Sequence, residues 1–126
     1  GNQPFIADMT EVAVRDGSEV APGMCRRYAR RAAIICERLT AETELKVHQP
    51  EAGMFAIVDV SSTGMDSEAY AMDLLENTGV AVMPGASFGD SLKNWVRVAL
   101  TIDDDAFETG IQRIVSHANA LKKDVA

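Results

Sequence analysis

Apolar residues at Met24, Tyr28, Ala32, Ile35 and Leu39 recur at steps of three and four, the spacing that lines one face of an α-helix. Ser18 or a residue beside it is suited to cap this helix, Pro22 is tolerated in the first turn, and the pattern runs to about Ala41. Arg26, Arg27, Arg30, Arg31, Glu37 and Arg38 fall largely on the other faces, which reads as a solvated or interface-lining surface before it reads as an anion site. Upstream, the opening GNQPF is a loop, and apolar positions 5, 6, 9, 12 and 13 predict a short helix over residues 5–14, broken at Arg15-Asp-Gly-Ser18.

From Gly53 the period changes. Residues 54–60 (MFAIVDV) form a continuous run rich in β-branched and aromatic residues, predicting a buried strand that the loop over residues 61–64 ends. Asp66 or Ser67 then caps a helix with Tyr70, Leu74 and Leu75 inward, and Gly79 supplies the left-handed position that stops it. Residues 80–83 (VAVM) predict a short strand closed by Pro84-Gly85, residues 86–94 a small and polar connection, and residues 95–101 (WVRVALT) a further strand. Asp103, Asp104 and Asp105 open the last helix at the positive end of its dipole, with Lys122 and Lys123 at the negative end. Its inner face is Phe107, Ile111, Ile114, Ala118 and Leu121. The passage from Met83 to Trp95 is too long for a tight hairpin and too short for a crossover helix, so the strands it joins are expected to be antiparallel. The expected class is α+β: a small three-stranded, largely antiparallel sheet packed on helices, with a long N-terminal helix.

Composition narrows the functions open to this pattern. With 126 residues the chain holds one core, and 12 Lys+Arg against 19 Asp+Glu leave a net charge of −7, the wrong sign for a partner of nucleic acid. No apolar stretch approaches the roughly 20 residues that span a bilayer, so no membrane partner is expected and a soluble protein is. Cys25 and Cys36 stand eleven apart on one predicted helix, about 16 Å along its axis, too far to pair with each other. Free thiols point to a reducing, cytoplasmic compartment. The first residues carry neither an initiator methionine nor a signal-peptide pattern, and the chain reads as an excised piece of something larger.

Little metal chemistry is on offer, because His48 and His117 lie in different elements without ligand spacing, and the acidic run 103–105 lacks a calcium loop; no metal site is expected. Gly85-Ala-Ser-Phe-Gly89 matches a nucleophile elbow in letters only, with no general base in view. Arg97 stands apart. It shares a strand face with Trp95 and Ala99 while Val96, Val98 and Leu100 take the other, so its guanidinium projects from an element that otherwise looks buried. Two readings compete: an internal ion pair with a carboxylate such as Asp59, or a planar fork kept for a carboxylate or phosphate ligand.

Four segments in order, Glu51-Ala-Gly-Met-Phe-Ala-Ile-Val-Asp59, Tyr70-Ala-Met-Asp-Leu-Leu75, Gly79-Val-Ala-Val-Met-Pro-Gly-Ala-Ser-Phe-Gly89 and Trp95-Val-Arg-Val-Ala-Leu100, together resemble the C-terminal part of class I/II pyridoxal-phosphate-dependent aminotransferases of fold type I. The resemblance implies that residues 1–15 are the segment leaving a large domain and residues 16–126 the small domain. It implies that Arg97 holds the substrate α-carboxylate, that Gly85 and Ser87 belong to a loop flanking the active-site mouth, and that Asn2 and Gln3 are candidates for contacts to the neighbouring subunit's cofactor in a homodimer. Amino-acid and 2-oxo-acid substrates are implied, with arginine–pyruvate-type chemistry ahead of aspartate- and aromatic-type. The departures matter as well. None of Lys46, Lys93, Lys122 and Lys123 has the setting of the lysine that holds the cofactor in this family. The chain alone is therefore expected to be inactive and to bind no pyridoxal phosphate, with no catalytic residue of its own. Related outcomes stay open at this point: the small domain of a lyase or of a regulator of the same fold, or a free-standing α+β binding or interaction module.

Overall fold

The computed structural model describes residues 20–49 and 53–125. The helix expected over residues 5–14, the cap at Ser18, and Asn2 and Gln3 lie outside the described residues. Helix α1 spans Val20–Glu42, and strands β1 (Lys46–His48) and β2 (Phe55–Asp59) follow. Then come α2 (Ser67–Thr78), the two-residue β3 (Met83–Pro84), β4 (Trp95–Ala99) and α3 (Asp104–Val125).

The class is α+β as expected, but the sheet has four strands rather than three, in the order β1-β2-β4-β3. All neighbouring strands are antiparallel. The additional strand is β1, three residues of alternating exposure that pair Val47 with Val58. The strand expected over residues 80–83 shrinks to Met83 and Pro84, the two residues in register with β4, while Val80 and Val82 pack against the core without joining the ladder.

One face of the sheet makes the core. Ala56, Val58, Val60, Val96 and Leu100 are buried with Ala32, Ile35 and Leu39 of α1, Tyr70 and Leu74 of α2, and Phe107, Ile111, Ile114 and Val115 of α3. Leu75 turns out exposed, because α2 meets the core through a narrow stripe, and Met24 sits at the rim. Arg31 departs further from its expected outward face: it is buried, where it donates to the Leu100 carbonyl at 2.6 Å and to Asp104. Arg31 stands one turn before Ile35, at the flank of the apolar stripe, and its long side chain reaches across from α1 to tie down the start of α3, a partner that α1 alone does not reveal.

The helix ends follow local chemistry. Asp66 caps α2 by accepting from the Ala69 N–H at 2.8 Å, and Gly79 ends it in the left-handed region. Asp103 does the same for α3 toward Ala106.

Candidate carboxylate-binding site

Arg97 sits in the middle of β4, opposite Ile57 of β2 and Met83 of β3. Residues directly opposite in an antiparallel ladder share a face, so Arg97 stands with Phe55, Ile57, Asp59, Trp95 and Met83 on the side of the sheet turned away from the helices. The guanidinium is half-buried there. Its central carbon lies 4.0 Å from the centre of the Phe55 ring and 4.6 Å from that of Phe88, close enough for both ring faces to attract the cation.

The ion pair with Asp59 does not form. The Asp59 carboxylate instead accepts from the Ser61 N–H at 2.9 Å, closing the turn after β2, and among the described residues no carboxylate pairs with Arg97. Its guanidinium donates no hydrogen bond among the described residues either, which leaves planar N–H edges for an external oxyanion.

Phe88 reaches Arg97 from the turn between β3 and β4. A tight helical turn over Gly85–Phe88 ends at Gly89, whose φ of 140° suits glycine. Gly85 is buried, and a Cβ there would collide with the backbone carbonyls of Leu92 and Trp95. Ser67, fully buried at the start of α2, holds this turn from below: its Oγ accepts from the Ala86 N–H at 3.1 Å while its own N–H donates to Lys93 O at 2.7 Å. Ser87 is exposed on the same turn. Sequence reasoning brought Arg97, Gly85 and Ser87 forward and missed Phe55, Phe88 and Ser67. The alternation within one strand could not name Phe55, because only the β2–β4 register puts it diagonally beside Arg97.

Elsewhere the candidates thin out. Among the described residues no group of three or more His, Cys, Asp or Glu is placed to hold a metal, and both cysteines are free thiols. A cleft of about 560 Å³ between the C-terminal ends of α1 and α3, lined by Thr43, Leu45, Ser62, Ala118 and Lys122 among others, does not include Arg97 or its aromatic neighbours. His117 of α3 bonds Asp73 of α2 at 2.6 Å and meets Tyr70 edge-on, a contact that joins two helices.

Residues 5–114 match the family described as aminotransferase class I and II, and the chain belongs to that family. The arginine–pyruvate transaminase AruH of Pseudomonas aeruginosa is 31% identical over 121 residues, covering 96% of this chain and 31% of that protein. An LL-diaminopimelate aminotransferase of Dehalococcoides mccartyi is 31% identical over 90% of this chain and 29% of its own length. The fold is shared with the substrate-bound BacF structure from Bacillus subtilis, with a TM-score of 0.73, 24% identity, and coverage of 82% of this chain and 27% of that one. The chain thus spans under a third of the length of these relatives.

The family implies pyridoxal phosphate, and Lys46, Lys93 and Lys122 offer no buried amine that fits a covalent hold on it. Lys46 and Lys93 are exposed, on an edge strand and a surface turn, and Lys122 pairs with Glu44 at 2.9 Å. No membrane-crossing helix is found among the described residues.

Proposed function

We propose that this chain is the small domain of a longer pyridoxal-phosphate-dependent aminotransferase, with residues 1–15 leading out of the large domain and residues 16–126 forming the domain itself. In this reading Arg97 grips the α-carboxylate of the amino-acid and 2-oxo-acid substrates. The observation that carries it is a half-buried arginine whose guanidinium lies over two phenyl rings, without a carboxylate partner among the described residues. An arginine so placed pairs with a planar carboxylate through two parallel N–H donors, fixing orientation as well as charge.

The cofactor supplies the electron sink for amino-group transfer. This chain's part is to bind and orient the substrate, with the turn carrying Gly85 and Ser87 at the mouth of the site. The lysine that holds the cofactor belongs to the remainder of the longer protein, and Asn2 and Gln3 are proposed to reach the neighbouring subunit's cofactor in a homodimer. Arginine with pyruvate is the first substrate pair to test, supported by the likeness to the Pseudomonas transaminase.

Half-reactions of the full-length gene product with L-arginine, L-aspartate and L-phenylalanine test this directly. Arg97→Lys keeps the charge and loses the fork, so it is expected to weaken amino-acid binding by about 2–3 kcal/mol while the melting temperature and cofactor content hold. A severe fall in melting temperature with an unchanged amino-acid dissociation constant overturns the assignment. In a companion measurement, the 126-residue chain mixed with pyridoxal phosphate is expected to retain no borohydride-reducible cofactor absorbance after gel filtration.

A further inference from the structure

Phe88 is 51% exposed, yet its ring faces the Arg97 guanidinium at 4.6 Å rather than turning into the core that lies on the other side of the sheet. Phe55 makes the equivalent contact from a strand fixed by its ladder, whereas Phe88 rides on the Gly85–Phe88 turn, where the Ala86 N–H donates to Ser67 Oγ and the Gly89 N–H closes the turn on the Ala86 carbonyl. We infer that Phe88 is a positioning residue: its ring holds the Arg97 guanidinium in plane, so that the N–H edge is already aimed when a carboxylate arrives. This rests on the reading of Arg97 as the carboxylate grip and adds to it the residue that orients the grip.

The physical argument is one of freedom. An arginine side chain has several rotatable bonds, and among the described residues no acceptor fixes this one; the two ring faces are what select its rotamer. Attraction of the cation to the ring faces forms no hydrogen bond to an oxygen or nitrogen acceptor, so the N–H donors stay available for a carboxylate. Remove one ring and the cation still sits in the site but samples more orientations, a loss that shows in substrate binding more than in the subsequent chemistry. Because Ser67 pins the same turn to α2, the orientation of Arg97 is also tied to the position of that helix.

The test uses the full-length protein with selective 15N-arginine labelling, carrying Phe88→Leu, Phe88→Met, Phe88→Tyr or Arg97→Lys, with Arg97→Lys assigning the Arg97 Nε–Hε signal by its loss. In the parent protein that proton is expected upfield of the other arginines through the ring currents. Phe88→Leu and Phe88→Met should move it downfield and raise KM for the best amino-acid substrate about threefold to fivefold with kcat nearly unchanged, while Phe88→Tyr keeps both values. An unmoved signal in Phe88→Leu and Phe88→Met, or a moved signal with unchanged KM, overturns the inference. Failure of the underlying reading looks different: Arg97→Lys itself then leaves KM unchanged, whereas an effect in Arg97→Lys without one in the Phe88 variants removes only the role of Phe88.

Discussion

Arg31 and Arg97 are both taken out of full solvent contact, and the difference between them lies in what meets their N–H groups. Arg31 donates to the Leu100 carbonyl and twice to Asp104 Oδ1, at 3.2 and 3.1 Å, so its hydrogen-bonding capacity is largely spent inside the protein. Arg97 meets rings instead. Replacing Arg31 by Ala strands the Leu100 carbonyl and opens the contact between α1 and α3, for an expected loss of about 2–3 kcal/mol in urea unfolding. Arg31→Lys, which lacks the fork, should recover less than half of that loss. The hydrogen bond from Arg31, then the charges of Arg30 and Arg31, hold the Asp104 carboxyl below its usual range. A carboxyl whose folded value is depressed contributes stability above its unfolded value and loses it as pH falls through the folded one. The acid limb of a stability–pH profile should therefore flatten in Asp104→Asn, and a limb of unchanged slope would mean the pair adds nothing. Gly85→Ala is expected to disturb the turn bearing Phe88, because the added methyl meets the Leu92 and Trp95 carbonyls rather than a side chain that can move.

At the level of elements, α2 shows both what a local pattern settles and what it omits. Its cap at Asp66 and its stop at Gly79 are local chemistry, and Asp66→Ala is expected to cost about 1 kcal/mol in chemical denaturation. Its packing is another matter. Tyr70 is fully buried with its hydroxyl unpartnered among the described residues, and burial, assisted by Asp73, pushes the phenol pKa up. A phenol whose folded value is raised contributes stability that is present below its unfolded value of about 10 and is lost as pH rises beyond it. Tyr70→Phe is thus expected to be neutral or slightly stabilising near pH 7 and to lose less stability than the parent on going to alkaline pH, as urea melts at the two conditions will show. The three helices were legible because a repeat of 3.6 survives many residues. β1 was not legible, since Lys46-Val-His48 has no apolar run of its own and becomes a strand only by pairing with β2. The strand expected at residues 80–83 carried a β-rich composition, but the chain enters the ladder only at Met83 and Pro84.

Across the whole molecule the two faces of the sheet differ in kind. Among the described residues one is sealed by α1, α2 and α3, whereas the other presents Phe55, Ile57, Trp95 and Arg97 half-buried, with Met83 46% exposed beside them. Aromatic and aliphatic side chains on an open sheet face favour association. The 126-residue chain by itself is expected to self-associate through that face in sedimentation velocity at high concentration, and Ile57→Lys should shift it toward monomer. A parent chain that sediments as a monomer at every concentration would show that this face is adequately covered.

What the sequence determined by itself is the set of features that depend on neighbours a few residues away: the helical stripe from Ala32 to Leu39, the caps at Asp66 and Asp103, the stop at Gly79, and an arginine out of place in an apolar strand. It also determined the family, because residues 5–114 match it and four motifs in fixed order lie within that stretch. Tertiary structure alone decided what surrounds Arg97. The β2–β4 register puts both Asp59 and Phe55 diagonally beside Arg97, and Ser61, which engages the Asp59 carboxylate, leaves the Phe55 ring as the neighbour that meets the guanidinium. It decided the partner of Arg31 in the same way, at a helix start some seventy residues along the chain. Periodicity records which face a side chain takes on its own element; which group from another element meets it there depends on how the elements pack, and no local pattern carries that distance.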